Sequence, residues 1–298
     1  MKVFFQNKIV EDRNALVSVF DHGFLYGDGI YETVHAYDSQ VFHWPDHFKR
    51  LKQSARRLEL KCPWTSAYLL KAIQQVLRAN HAPDACVRIT VSRGCGPLGL
   101  DPTACSRPGL VMLLHPARDV KKLWEKGVSI GIPHVRRNHP RSLDPQIKSN
   151  NALNTIVAKM EGTRMGVFET VLLNLDDDIT EGTTSNFFFI RRGRIYTPAL
   201  SCGLLEGVTR NEVIRLARRA GSRVQEGKYK LKDLRTADEI FLTSTTLEIV
   251  PVTKVFSSPR LPVPSFLLRP LWQGPPGPIT RRLHQLFRFA IIRGTSSH

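Results

Sequence analysis

ITEGTTSNFFF, residues 179–189, runs from a polar turn carrying one carboxylate and several hydroxyls straight into three phenylalanines. That pattern reads as a turn feeding a buried strand. Upstream FETVLLN and downstream RIYTP are strand-like, and within GLLEGVTRNEVIRLARRAG (203–221) Val208 to Ala220 is an amphipathic helix with arginines in its last turn and Gly221 to end it. Strands DEIFLT and IVPVTKV follow, while VSIGIPH and a helix after Lys148, with Leu153, Ile156, Val157 and Met160 on one face, precede. Further back, the charged stretch PARDVKKLWEKG sets this half apart from an earlier one. There VFFQ, YETVHAY, CVRITVS and GLVMLLH read as strands and WPDHFKRLKQSARRLEL and AYLLKAIQQVLRAN as helices. The expected fold class is α+β / α/β in two domains: a smaller N-terminal α/β domain at 1–117, a linker at 118–127 and a larger C-terminal domain at 128–298.

At 298 residues and 42% hydrophobic, the chain can bury a large core, which excludes disorder, collagen and a small disulfide scaffold. It has no run of 18 apolar residues, and MKVFFQNKIVEDRN lacks the pattern of an export signal. No membrane association is expected. Five widely spaced cysteines without a C-x-x-C pair indicate neither a disulfide framework nor a zinc site, so a cytoplasmic location is expected and no metal. The net charge of +17 is diffuse, apart from six arginines and no acid between Ser258 and His298. No basic helix interleaved with aromatics accompanies it, so nucleic acid is not the expected partner; such a field suits small anions and phosphorylated cofactors. The stretch from Ser258 to Pro278, with seven prolines, has no assigned role.

Gly94, Gly96 and Gly99 form a G-x-G-x-x-G after CVRITVS, the spacing of a dinucleotide loop. Pro97 and the following DPTACSRPG deny it the helix whose N-terminus would hold a pyrophosphate, so it reads as a loop over a site. A phosphate is better served by Gly207, Val208 and Thr209, where a helix start offers free N–H groups; an ordinary capped helix reads the same way. The hydroxyls Ser244, Thr245 and Thr246 end a strand where α/β sheets bind ligands, or form a simple turn. Arg50 is a helical arginine that solvent could equally claim. Lys148, in PQIKSNNALNT, is a surface lysine or a Schiff-base lysine; the latter requires a neutral amine. Glu181 is a turn carboxylate or an acid directed inward at a ring nitrogen.

Taken together, FDHGFLYGDGIYETV (20–34), HFKRL (47–51), IKSNNALN (147–154), ITEGTTSNFFF (179–189), LLEGVTRNEV (204–213) and TSTTLEIVPV (243–252) resemble the class IV pyridoxal-phosphate aminotransferases, in that family's order. The resemblance implies a C-terminal domain with a strand-rich, barrel-like core, a homodimer, and pyridoxal 5'-phosphate as cofactor. It implies that Lys148 carries the cofactor and shuttles the proton. Glu181 would keep the pyridine nitrogen protonated, and Arg50, Val208, Thr209 and Thr245, with Ser244 or Thr246 as neighbours, would hold the phosphate. The implied reaction is ping-pong transfer of an amino group between an amino acid and a 2-oxo acid.

Within the family the signals are mixed. Tyr31 and GDGIYETVHAYDSQVF are close to the D-amino acid type, yet Leu98 and Leu100 stand where that type carries its arginine and histidine. Arg88 matches a branched-chain arginine, or is a strand arginine facing solvent; His35 replaces another arginine and Leu153 a tyrosine. With Tyr31, His35 and Arg88 as substrate residues, a branched-chain-like transaminase acting on aliphatic amino acids is expected. A D-amino acid or (R)-amine transaminase comes second, then an aminodeoxychorismate lyase, and last a noncatalytic binding protein on the same scaffold.

Overall fold

Gly29–Tyr37 alternates a buried row, Ile30, Glu32, Val34 and Ala36, with a half-buried one, Tyr31, Thr33 and His35, as a strand with one face on a core must. In the computed structural model, which describes residues 1–116, 119–258 and 268–295, this segment is β3 of an antiparallel six-stranded sheet. The elements are β1 (Lys2–Phe5), β2 (Lys8–Glu11), α1 (His22–Tyr26), β3, β4 (Gln40–Val41), α2 (Trp44–Arg57), α3 (Ser66–Ala79), β5 (Ala85–Ser92) and β6 (Gly109–Pro116). Strand order is β2-β1-β6-β5-β3-β4. Ile30, Val34, Ile89 and Met112 meet Leu51 of α2 and Leu69 and Ile73 of α3 in a closed core. Each such side chain contributes about 1.5–3 kcal/mol by leaving water.

The second half contains α4 (Lys121–Lys126), β7 (Val128–Ile132), α5 (Leu153–Met165), β8 (Glu169–Leu173), β9 (Ile179–Gly182), β10 (Asn186–Arg191), β11 (Arg194–Pro198), α6 (Val208–Arg219), β12 (Val224–Gly227), α7 (Leu231–Leu234), β13 (Glu239–Ser244), β14 (Glu248–Ser257), β15 (Trp272–Gln273) and α8 (Pro278–Thr295). The hydrogen-bonded path β10-β13-β14-β7-β8-β9 returns to β10 through the β9–β10 pair, closing a six-stranded barrel. Phe187, Phe189, Leu242, Val250, Ile130 and Val171 share its core. The chain is thus a mixed α and β protein with a sheet-and-helix first half and a barrel-containing second half.

The two compact units do not divide the chain at one point. The first comprises Met1–Arg118 with Ile147–Asn151 and the chain from Ile291, the second Asp119–Gln146 with Ala152–Ala290. Backbone pairing explains the return: the Tyr31 N–H donates to the Lys148 carbonyl and the Asn150 N–H to that of Gly29, both at 2.9 Å. The stretch 118–127 is also more than a linker. From it α4 packs on β14, and the Trp124 indole N–H donates to the Leu247 carbonyl at 2.9 Å. Residues 117–118, at the expected boundary, and 259–267, from the proline-rich stretch, lie outside the described residues; Trp272–Gln273 of that stretch pairs with β14.

Helix α5 departs from the usual amphipathic arrangement. Its small side, Ala158, Gly162 and Met165, is buried. Gly162 lets Thr170 approach, for a Cβ there would lie 2.5 Å from the Thr170 methyl. The apolar row expected from the sequence instead faces outward, with Leu153 66% and Ile156 52% exposed.

Candidate functional site

Lys148 is held at the edge of β3 by the Tyr31 N–H and by its own N–H, which donates to Ser54 Oγ at 3.1 Å. Its Nζ lies 4.5 Å from the centroid of the Tyr31 ring. The same ring carries the Arg88 guanidinium, with Cζ 3.7 Å from the centroid. Arg88 reaches it from β5, whose Thr90 is the register partner of Tyr31. The Lys148 ammonium pulls the Tyr31 hydroxyl below its ordinary pKa; burial opposes this and Arg88 adds to it. Arg88 therefore does not face open solvent. It donates Nε–H to Thr90 Oγ1 at 3.3 Å and Nη2–H to Asn150 Oδ1 at 3.2 Å.

Beneath this row, on the core side of β3, Glu32 is fully buried. Arg50 of α2 clamps it through Nε–H at 2.9 Å and Nη2–H at 2.6 Å, a bidentate ion pair. Burial pushes the Glu32 carboxyl up, but the Arg50 charge and the His47 contact outweigh it and hold the group well below its ordinary value. His47 Nδ1 stands 3.3 Å from Glu32 Oε1, and burial lowers the imidazole pKa. His35 stacks on Tyr37 at 4.0 Å, four residues or about 13 Å along the strand from Tyr31.

In the second unit, Glu181 of β9, Asn186 of β10 and Thr243 of β13 are register partners in one row across three strands. Arg137 holds Glu181 Oε1 through Nε–H and Nη2 at 2.9 Å, while the Leu205 N–H donates to Oε2 at 3.0 Å. Arg137 Nη1–H in turn donates to Asn154 Oδ1 at 3.3 Å. Gly207 lies against this row: a Cβ there would sit 1.9 Å from Asn186 Oδ1. It caps α6 without a side-chain hydrogen bond, so the N–H groups of Val208 and Thr209 point out of the helix without an intrahelical acceptor. Both residues are buried. Ser244 ends β13 and Thr245 and Thr246 lie in the turn to β14, where Ser244 Oγ accepts from the Leu247 N–H at 3.2 Å.

These groups suit a phosphorylated pyridine. Thr243 is 1% exposed, with no hydrogen-bond partner for Oγ1 among the described residues, and α6, whose first turn has N–H groups of the kind that attract anions, packs on its strand. Glu181 supplies the acceptor that a protonated ring nitrogen requires.

The Amino-transferase class IV family model matches residues 29–255. The chain belongs to the class IV aminotransferases. A relative named putative branched-chain-amino-acid aminotransferase, from Methanocaldococcus jannaschii, is 40% identical over 255 residues, 86% of this chain and 88% of its own. A D-alanine aminotransferase of Listeria monocytogenes is 32% identical over 98% of this chain and 97% of its own. Among solved structures, the branched-chain amino acid aminotransferase of Thermobaculum terrenum in its PLP form superposes with a TM-score of 0.82 at 26% identity, covering 98% of this chain and 94% of that one. This class IV enzyme is a pyridoxal-phosphate-dependent transaminase.

The structure joins Lys148, Tyr31 and Arg88 in one cluster, and brings Glu181 and Gly207, the residue before Val208 and Thr209, against Asn186. Sequence reasoning missed Glu32, Arg137, Asn186 and Thr243. Glu32 could have been found, because a carboxylate at the core parity of Ile30, Val34 and Ala36 demands a buried cation. Arg137 sits in the irregular stretch PHVRRNHP, where no periodicity marks it.

Proposed function

We propose that the enzyme moves an amino group between an aliphatic, branched-chain-like amino acid and a 2-oxo acid in two half-reactions, with Lys148 as the residue that holds the cofactor and carries the proton. The observation that carries this reading is the convergence of Lys148 and Arg88 on the Tyr31 ring. A reactive amine and a cation without a carboxylate partner among the described residues share one aromatic floor, an arrangement suited to accepting an amino acid by its carboxylate and reacting at the adjacent carbon.

Pyridoxal phosphate supplies an electron-withdrawing ring that stabilises the carbanion left when the α-proton departs. Lys148 Nζ takes that proton and returns it; a positioned base of this kind contributes about 10²–10⁴-fold. Glu181, fixed by Arg137, would accept a hydrogen bond from the ring nitrogen and so favour its protonated form. The Val208 and Thr209 amides, the Thr209 hydroxyl and the hydroxyls of residues 244–246 would hold the phosphate, whereas Arg50 spends Nε and Nη2 on the buried Glu32. Tyr31 and Arg88 would face the substrate, while His35, stacked on Tyr37 at 4.0 Å, stands farther along the same face of the strand.

We also propose a homodimer. Leu153, Ile156, Val157 and Met160 on α5 and Leu16, Val17, Val19, Phe20 and Phe24 in the first unit are large exposed apolar rows, of the kind that monomers rarely leave bare. A cytoplasmic location fits the cysteine usage, and no helix among the described residues is long and apolar enough to cross a membrane.

The aliphatic reading rests on Arg88 and on the kinship with the Methanocaldococcus jannaschii relative. D-amino acid transamination is the second reading, favoured by the near-complete coverage of the Listeria monocytogenes relative. Absorbance between roughly 300 and 450 nm, recorded before and after separate additions of L-leucine, D-alanine and (R)-1-phenylethylamine, separates them. Bleaching by L-leucine is expected; bleaching only by D-alanine or the amine transfers the assignment. Pyruvate release without an amino acceptor would instead reveal a lyase.

A further inference from the structure

Arg88 is half-buried and pairs with no carboxylate among the described residues; its two hydrogen bonds, to Thr90 Oγ1 and Asn150 Oδ1, are both to neutral oxygens. A guanidinium has five N–H donors in a rigid fork, so most of its capacity stays open while its plane is set against Tyr31. We propose that Asn150 is a positioning residue that fixes the Arg88 guanidinium for the carboxylate of the incoming substrate. The inference rests on the reading of Arg88 as a substrate residue and adds what aims it.

Three features make the carboxamide a built contact rather than a passing one. The Asn150 N–H donates to the Gly29 carbonyl at 2.9 Å, and Ser149 is bridged to Ile30, so the backbone is fixed to β3. A Cβ on Gly29 would lie 2.6 Å from Asn150 Nδ2, so the glycine opens the slot that the carboxamide occupies. With Nδ2 against Gly29, Oδ1 turns to Arg88 at 3.2 Å. The chemistry of the side chain matters equally. A carboxylate here would pair with the guanidinium and cancel the charge that a substrate needs, whereas a neutral acceptor orients it and leaves it positive. Lys148 stands two residues earlier on the same pinned segment, so the carboxamide that aims the guanidinium and the reacting amine share one rigid mount.

The test uses the holoenzyme of the wild type, Asn150→Ala, Asn150→Asp and Arg88→Met. Calorimetry measures the Kd of 4-methylpentanoate, a carboxylate that cannot be aminated; kcat and KM for L-leucine and the cofactor absorbance are recorded alongside. Asn150→Ala should raise Kd and KM by roughly tenfold, the scale of a hydrogen bond to a charged group, with kcat within about twofold and the spectrum unchanged. Asn150→Asp, nearly isosteric and keeping the backbone bond to Gly29, should weaken binding more, and it carries the test alone should the alanine variant fail to fold. Unchanged Kd in both Asn150 variants, with weakened binding in Arg88→Met, overturns the inference and spares the reading beneath it. Wild-type Kd in Arg88→Met overturns that reading itself.

Discussion

The two clusters balance their charges in opposite ways. In the second unit Glu181 is compensated where it stands, by Arg137 on one oxygen and the Leu205 N–H on the other. In the first unit Glu32 and Arg50 neutralise each other in the core, while on the other face of the same strand Lys148 and Arg88 share a ring, with no acid among the described residues paired to either. A neutralised pair holds a geometry; an uncompensated cation awaits an anion. The first unit therefore keeps its structural charges beneath the sheet and its receptive ones above it, and the alternation of a single β-strand separates them.

Breaking the receptive side should have the largest effect. Lys148→Ala should lower kcat by at least the roughly 10²–10⁴-fold of a positioned base, measured by single-turnover reaction with L-leucine, while thermal melting changes little because the side chain is only half-buried. Breaking the structural side should show as stability instead. Glu32→Gln leaves Arg50 buried without its partner and should cost about 3–5 kcal/mol in denaturant unfolding. The sign with pH follows from a folded-state pKa held below the ordinary 4.5. The carboxylate's contribution is fully present above that value and is lost as pH falls below it, so the gap between wild type and Glu32→Gln should narrow in acid. A gap independent of pH would show that the pair is not ionised in the fold.

The compensated acid of the second unit should yield an intermediate effect. Glu181→Gln should reduce kcat by roughly 10–100-fold, the scale of a lost charged hydrogen bond, with a smaller change in cofactor affinity. An equal loss in both would make Glu181 a binding group only. The smallest effect on chemistry is expected from Ile156→Glu on α5, which should shift the sedimentation coefficient toward monomer; an unshifted dimer would remove α5 from the interface.

Contiguous motifs were legible in the sequence: the turn before the phenylalanines located Glu181, the glycine before α6 located Val208 and Thr209, and strand and helix periodicities located the sheet and the barrel strands. Partners supplied from a distance were not. Arg50 lies 18 residues from Glu32 and Asn150 lies 62 from Arg88, and only strand register and helix packing bring them together. The exterior face of α5 was hidden for a related reason: periodicity reveals that Leu153, Ile156, Val157 and Met160 share a side, not what covers it. The short pairing of Lys148–Asn150 with β3 likewise has no pattern of its own, which is why a linear division of the chain overlooked it.

Borohydride reduction of the holoenzyme, followed by proteolysis and mass spectrometry, tests most directly whether Lys148 carries the cofactor. A phosphopyridoxyl group on the peptide containing IKSNNALN, and loss of the reducible chromophore in Lys148→Ala, is the predicted result; the label on another lysine, or a reducible chromophore retained in that variant, would contradict it.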